Sequence, residues 1–131
     1  MHTRIQPDGV FEPVPGLYTQ IVGFRDTLRY EIAGTVGYRP DGTLPDTMAE
    51  QAEQIMTNLG VSLAAVSLTP AHVVRINIFT TDMDGFLRDA METVFGWFGD
   101  TRPASTLVET PRLANPRHRL EIEAVAVADD A

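Results

Sequence analysis

Apolar and polar residues alternate most regularly near the end of the chain. In residues 119–127 (RLEIEAVAV), Leu120, Ile122, Ala124 and Ala126 fall on one face of an extended strand, and Glu121, Glu123, Val125 and Val127 on the other. Residues 104–110 (ASTLVET) form a second, shorter β-rich run. The link between the two runs holds Pro111 and Pro116, which have no backbone N–H to donate, so the runs are separate strands. Residues 73–79 alternate as well, with Val74, Ile76 and Ile78 on one face and Val73, Arg75, Asn77 and Phe79 on the other. Upstream, residues 17–24 and 28–36 read as strands, the second with Leu28, Tyr30 and Ile32 on one face. Gly34 interrupts that second strand and predicts a bulge or a close backbone approach.

Elsewhere the period lengthens to three and four. Asp46 or Thr47 opens a helix, and Thr47-Met48-Ala49-Glu50 fits a capping box. Met48, Ala52, Ile55, Leu59 and Leu63 make one apolar stripe, while Gly60 weakens the last turns. Leu68-Thr69-Pro70 ends this helix, and Thr69 with Pro70 starts a single turn. A second helix is predicted from Asp82 or Asp84 to about Phe98. Its buried stripe is Leu87, Ala90 or Met91, Val94 and Phe98, Trp97 and Phe98 anchor its end, and Gly99-Asp100 stops it. Residues 1–16 show no periodicity and read as an extended lead-in, and residues 38–45 as a loop with a Pro40-Asp41-Gly42 turn.

The resulting order, β-β-α-β-α-β-β, predicts an α+β sandwich with both helices on one face of a single sheet. The other face then carries Arg75, Asn77, Glu121 and Glu123 beside Val73, Phe79, Val125 and Val127. A face that mixes large apolar groups with charge predicts a subunit interface, and therefore an oligomer.

Composition narrows the chemistry. The 131 residues fit one domain spanning 1–131, and an apolar fraction of 44% with 21% charged residues suits a globular chain with a sizeable core. The absence of cysteine excludes thiolate nucleophiles, disulfides and Cys-based zinc sites. No run has signal-peptide character or approaches the ~20 apolar residues of a membrane span, which makes the cytoplasm the expected location. A net charge of −8 argues against nucleic acid as a partner. His2, His72 and His118 lack metal-ligand spacing, so neither a metal nor another cofactor is expected.

A family resemblance rests on several stretches. They are Gly16-Leu17-Tyr18-Thr19-Gln20, Ala33-Gly34, the helix at 51–59, and the strand at 73–81 followed by Asp82-Met83-Asp84-Gly85-Phe86. The most specific part is residues 102–109 (RPASTLVE) with residues 120–127 (LEIEAVAV). Over roughly residues 16–128 the chain resembles the RidA/YjgF family, also called L-PSP endoribonuclease-like. The resemblance implies a chorismate-mutase-like fold, a homotrimer with its sheets packed inward, and small-molecule clefts at the subunit interfaces. It implies hydrolysis of enamines and imines, such as 2-aminoacrylate, to the keto acid and ammonia.

The family's site residues carry over in part. Tyr18 matches the family tyrosine, and Glu121 matches the glutamate that positions or activates water. The family's carboxylate-clamping arginine is Ser105 here, and a hydroxyl cannot reproduce a guanidinium's bidentate, charged grip. Ala33 stands for the family serine and Ala90 for a helix asparagine. The expected site is therefore Glu121 as the catalytic group, with Tyr18, Ala33, Gly34, Ser105 and Thr106 lining the ligand. A competing reading is a non-deaminating binding trimer whose cleft is altered by Ser105, Ala33 and Ala90. A ribonuclease activity is disfavoured by the charge. Among other arginines, Arg102 lies an odd offset from Ser105 and points to the opposite face unless Pro103 bends the lead-in. Arg112 is no obvious replacement. Arg75 would more simply pair with a carboxylate on its own face, and Glu109 and Glu123 are expected to be ion-paired or solvated. Bland roles compete throughout: Glu121 as an interface glutamate, Tyr18 as a packed aromatic, Ser105 and Thr106 as ordinary strand residues.

Overall fold

A computed structural model describes residues 2–12, 15–25 and 28–129. Its elements are β1 (Thr3–Ile5), β2 (Ile21–Gly23), β3 (Arg29–Thr35), α1 (Met48–Ala65), a 3₁₀ turn (Pro70–His72), β4 (Val73–Thr80), α2 (Met83–Asp89), α3 (Met91–Gly96), β5 (Ala104–Glu109) and β6 (Leu120–Val127). The main sheet has the order β3-β6-β4-β5 and is antiparallel except for the β4–β5 pair. Parallel neighbours need a crossover, and α2 with α3 supplies it. A two-stranded ribbon, β1 with β2, stands beside this sheet.

The alternation in β6 gives that strand its central place. Leu120, Ile122, Ala124 and Ala126 are all buried and join Ile76 and Ile78 of β4 under the helices. Ile55, Leu59 and Leu63 of α1 and Phe86 and Val94 of the crossover close this core from above. Each such aliphatic or aromatic side chain contributes about 1.5–3 kcal/mol of transfer free energy when fully buried. The α+β layering expected from the pattern is therefore present, with helices on one face of the sheet.

Local signals account for the helix starts. Thr47 caps α1 by accepting the Glu50 N–H at 3.2 Å. The Glu50 carboxylate accepts from the Thr47 hydroxyl at 2.8 Å, a variation on the expected reciprocal box. Asp82 caps α2 by accepting the Gly85 N–H at 3.0 Å. Gln51 sits fully buried on the apolar face of α1. It donates to the carbonyls of Pro45 (2.8 Å) and Arg117 (3.0 Å) and accepts the Arg119 N–H (2.9 Å). One buried amide thus ties both loops that precede α1 and β6 to the helix, with its bonds satisfied.

Three expectations need correction. The second helix is broken at Ala90 (φ −128°, ψ −23°) into α2 and α3. Within α2 Phe86 is fully buried and Leu87 is 46% exposed, so Phe86 rather than Leu87 begins the buried stripe. The larger apolar surface takes the interior position. Leu28 is 61% exposed because it lies before β3, where strand alternation does not govern. The strand expected at 17–24 shrinks to β2, and its partner β1 comes from the segment expected to be an unpaired lead-in. Long-range side-chain bonds hold that ribbon in place. Arg4 donates to the carbonyls of Ala71, Thr101 and Arg102, and His2 Nε2 lies 3.0 Å from the Val127 carbonyl. Nothing in a three-residue segment of sequence announces such contacts.

Candidate active site

Gly34 sits in a β-bulge. Ile32 pairs with Ala124 and Thr35 with Ile122, so Ala33 and Gly34 together oppose the single residue Glu123. Gly34 has no positive φ, so its requirement is for space, not for backbone conformation. A Cβ there would collide with Glu121 Oε1 and lie 2.9 Å from its Cδ and 3.2 Å from its Cγ. The bulge and the missing side chain together form a notch in which the Glu121 carboxylate lies half-buried against backbone.

The other carboxylates nearby are engaged. Glu123 accepts from Asn77 Nδ2 at 2.9 Å, and Glu31 from Arg29 Nε at 2.8 Å. Glu109 accepts the Met83 N–H at 2.8 Å, which places its charge at the start of α2. Of the two expected to be ion-paired or solvated, Glu109 is exposed and Glu123 half-buried, and each accepts from a neutral donor. Arg75 donates to Thr106 Oγ1 at 2.7 Å and pairs with no carboxylate among the described residues. Among the described residues, no hydrogen-bond donor reaches the Glu121 carboxylate.

A neighbouring pair escaped notice in the sequence. His118 is 6% exposed, and its Nε2 lies 2.9 Å from the Tyr38 hydroxyl, with the rings edge-on at 5.2 Å. Asn115 Nδ2 donates to the same hydroxyl at 3.4 Å. Burial pushes the imidazole below the usual histidine range, against the opposing pull of Glu121, and Arg117 adds to the lowering. Tyr38 and His118 are 80 positions apart, so spacing offered no signal.

The expected ligand residues do not all converge. Ala33 lines a depression of about 510 Å³ on the sheet face away from the helices, with Arg29, Glu31, Arg75, Asn77 and Glu123. Ser105 pairs with the buried Ile76 and so faces the helix side, whereas Thr106 pairs with Asn77 and faces the opposite side. A consecutive pair on one strand cannot serve one ligand from one face. Ala90 is 1% exposed and belongs to the core at the helix break, not to a cleft. Tyr18 lies with Arg102 and Arg4 in a separate concavity of about 190 Å³. Within one chain the structure gathers Ala33, Gly34 and Glu121, parts Ser105 from Thr106, and sets Tyr18 beside Arg102. Among the described residues, no group of three or more His, Cys, Asp or Glu side chains is placed to hold a metal ion. No described helix is long and apolar enough to cross a membrane.

This fold and this notch define a class. The model of the endoribonuclease L-PSP family matches residues 12–128, and the chain belongs to that family, the RidA/YjgF proteins. A relative from Myxococcus xanthus, Protein DfrA, is 42% identical over 80 residues, which is 60% of this chain and 58% of that protein. The match thus spans little more than half the length of that relative. The mouse 2-iminobutanoate/2-iminopropanoate deaminase is 32% identical over 116 residues, 86% of this chain and 82% of the mouse protein. Among solved structures, YyfB from Yersinia pestis, a Rid-family protein of unknown function, superposes with a TM-score of 0.89 at 25% identity, covering 97% of this chain and 98% of its own. Escherichia coli TdcF with bound serine gives 0.68 at 25% identity over 77% and 81% of the two chains.

Proposed function

We propose that the protein hydrolyses a small imine or enamine to its carbonyl compound and ammonia, as a homotrimer with its clefts between subunits. The observation that carries this reading is the Glu121 carboxylate, held against Gly34 with no hydrogen-bond donor among the described residues. A carboxylate so placed has its lone pairs available for water, while Glu31, Glu109 and Glu123 each accept a hydrogen bond from a protein donor. The deaminase name of the mouse relative supports the same chemistry.

In this reading Glu121 orients water and takes a proton as the oxygen adds to the C=N carbon. The proton returns to nitrogen to give the carbinolamine. Its hydroxyl proton then passes through Glu121 to the amine as the C–N bond breaks, leaving C=O and free ammonia. An enamine enters this sequence as its imine tautomer, its N–H proton moved to carbon. Water and imine are consumed, carbonyl and ammonia are formed, and no redox partner is required. General acid–base help of this kind is worth ~10²–10⁴-fold. The mixed polar and apolar sheet face around the depression at Ala33 supplies the subunit contact in this reading.

Ser105 favours a second reading, a trimer that binds a neutral metabolite without deaminating it. Ammonia release from enzymatically generated 2-aminoacrylate separates the two. The first reading expects a rate above buffer for the wild type, raised further in Ser105→Arg. A wild type at the buffer rate would defeat it for this substrate, and a gain confined to Ser105→Arg would show that the family arginine alone was lacking.

A further inference from the structure

We infer that β1 is a detachable strap, latched by Arg4, that opens and closes the concavity beside Tyr18. The inference goes beyond the proposed reading and rests on it only in that a small molecule enters near Tyr18. The motion itself needs no chemistry.

Few groups hold the strap. β1 pairs only with β2, through Thr3 with Gly23, Arg4 with Val22 and Ile5 with Ile21. A ribbon of two such short strands is marginal on its own. Ile5 and Ile21, opposite one another, are each 45% exposed, and neither strand contributes a side chain to the buried core cluster. The latch is therefore polar. Arg4 Nη2 donates to the carbonyls of Ala71 at 3.0 Å and Thr101 at 3.1 Å, and Nε to that of Arg102 at 3.2 Å. These partners are neutral, and burial lowers the pKa of the guanidinium. The chain leading into β2 is tied to the body separately. Thr19 donates its hydroxyl to the Arg102 carbonyl at 2.6 Å and its N–H to the Pro103 carbonyl at 3.2 Å. When the ribbon parts, β1 is the strand that leaves.

Gln6 opposes closure. It follows β1 directly, and its amide nitrogen and oxygen are both shielded from solvent with no hydrogen-bond partner among the described residues. A buried amide left unbonded is penalised, and lifting β1 returns it to water. Arg4, Ile5 and Gln6 form one wall of a concavity of about 190 Å³, whose other wall holds Tyr18 and Thr19. Opening the strap thus removes a wall and uncovers Tyr18. Arg4 favours the closed state and Gln6 disfavours it, so the two states lie close in free energy and exchange by local opening.

The register also supplies a lock. A Cβ at Gly23 would stand 3.7 Å from Thr3 Cβ, within disulfide range, and the chain has no cysteine of its own. The test compares the 131-residue wild type, the oxidised Thr3→Cys/Gly23→Cys protein, Gln6→Met and Arg4→Met. Hydrogen exchange follows the β1 amides, and N-acetylimidazole labels Tyr18, with the exposed Tyr38 as internal reference. In the wild type the β1 amides should exchange about 10²-fold or more faster than those of β4. The disulfide should slow both β1 exchange and Tyr18 acetylation by about tenfold, and reduction should reverse the effect on exchange. Gln6→Met should slow both, Arg4→Met should speed both, and Tyr38 should stay unchanged. β1 amides as protected as those of β4, Tyr18 acetylation indifferent to the disulfide, or Gln6→Met behaving as wild type would overturn the proposal. Ammonia release is followed in parallel. Its absence from every protein would defeat the deaminase reading, while exchange and acetylation still decide the strap.

Discussion

Replacing Gly34 by alanine tests whether the Glu121 notch is real. The new methyl would overlap Glu121 Oε1 and crowd Cδ at 2.9 Å and Cγ at 3.2 Å, so the whole side chain must move, not its tip alone. Overpacking of this kind costs about 1–3 kcal/mol, and a displaced rotamer accounts for about 0.5–1.5 kcal/mol of such a cost. Alanine in a strand recovers roughly 0.5–1 kcal/mol through the unfolded chain. The expected net is a loss of about 1–2 kcal/mol. Partial exposure lets the carboxylate swing outward, which keeps the figure at the low end. Glu121→Ala removes the clash, so Gly34→Ala should be neutral or mildly stabilising in that background, a coupling of about 1–3 kcal/mol between the two sites, equal to the overpacking cost. Denaturant unfolding of the four proteins at one protomer concentration measures the cycle, since stability shifts with subunit concentration in an oligomer. A neutral Gly34→Ala in the wild-type background, or an equal cost with and without Glu121, would refute the notch.

The remaining predictions concern the supports of the site. Gln51→Leu should cost about 2–3 kcal/mol in the same unfolding assay, because it strips partners from the Pro45 and Arg117 carbonyls and the Arg119 N–H. Stability should fall as pH drops below 6.5, because burial holds the folded His118 pKa below its unfolded value. Its contribution is whole above 6.5 and is lost as pH falls through the folded pKa, so thermal melts of His118→Leu should decline less over that window. A decline as steep as that of the wild type would count against it. Asp82→Ala should cost about 1 kcal/mol through loss of the α2 cap.

The layered fold was legible because its signals are local. The period-two runs in β4 and β6 and the period-three-and-four run in α1 each appear within a dozen residues. The glycine at 34 could likewise be read as a bulge or close approach, and it is both. The helix break at Ala90 could not be read, since alanine favours helix. The candidate site was legible in its parts, not in its assembly. Glu121 and Ser105 follow from motif and alternation, but Ser105 and Thr106 diverge because consecutive strand residues must. Arg102 lies before β5, where strand alternation does not decide its face. The His118–Tyr38 contact and the Arg4 bonds join positions 80 or more apart, or reach β5 from the first residues, and only the folded chain displays them.

The most direct measurement is steady-state ammonia release from 2-aminoacrylate by wild type and Glu121→Gln at equal oligomeric state. The substitution keeps the shape of the side chain in the Gly34 notch and removes its charge and its capacity to take a proton. A wild-type rate above buffer that falls by ~10²-fold or more in Glu121→Gln is the predicted result. A wild type no faster than buffer, or a Glu121→Gln rate equal to that of the wild type, would contradict the role assigned to this carboxylate.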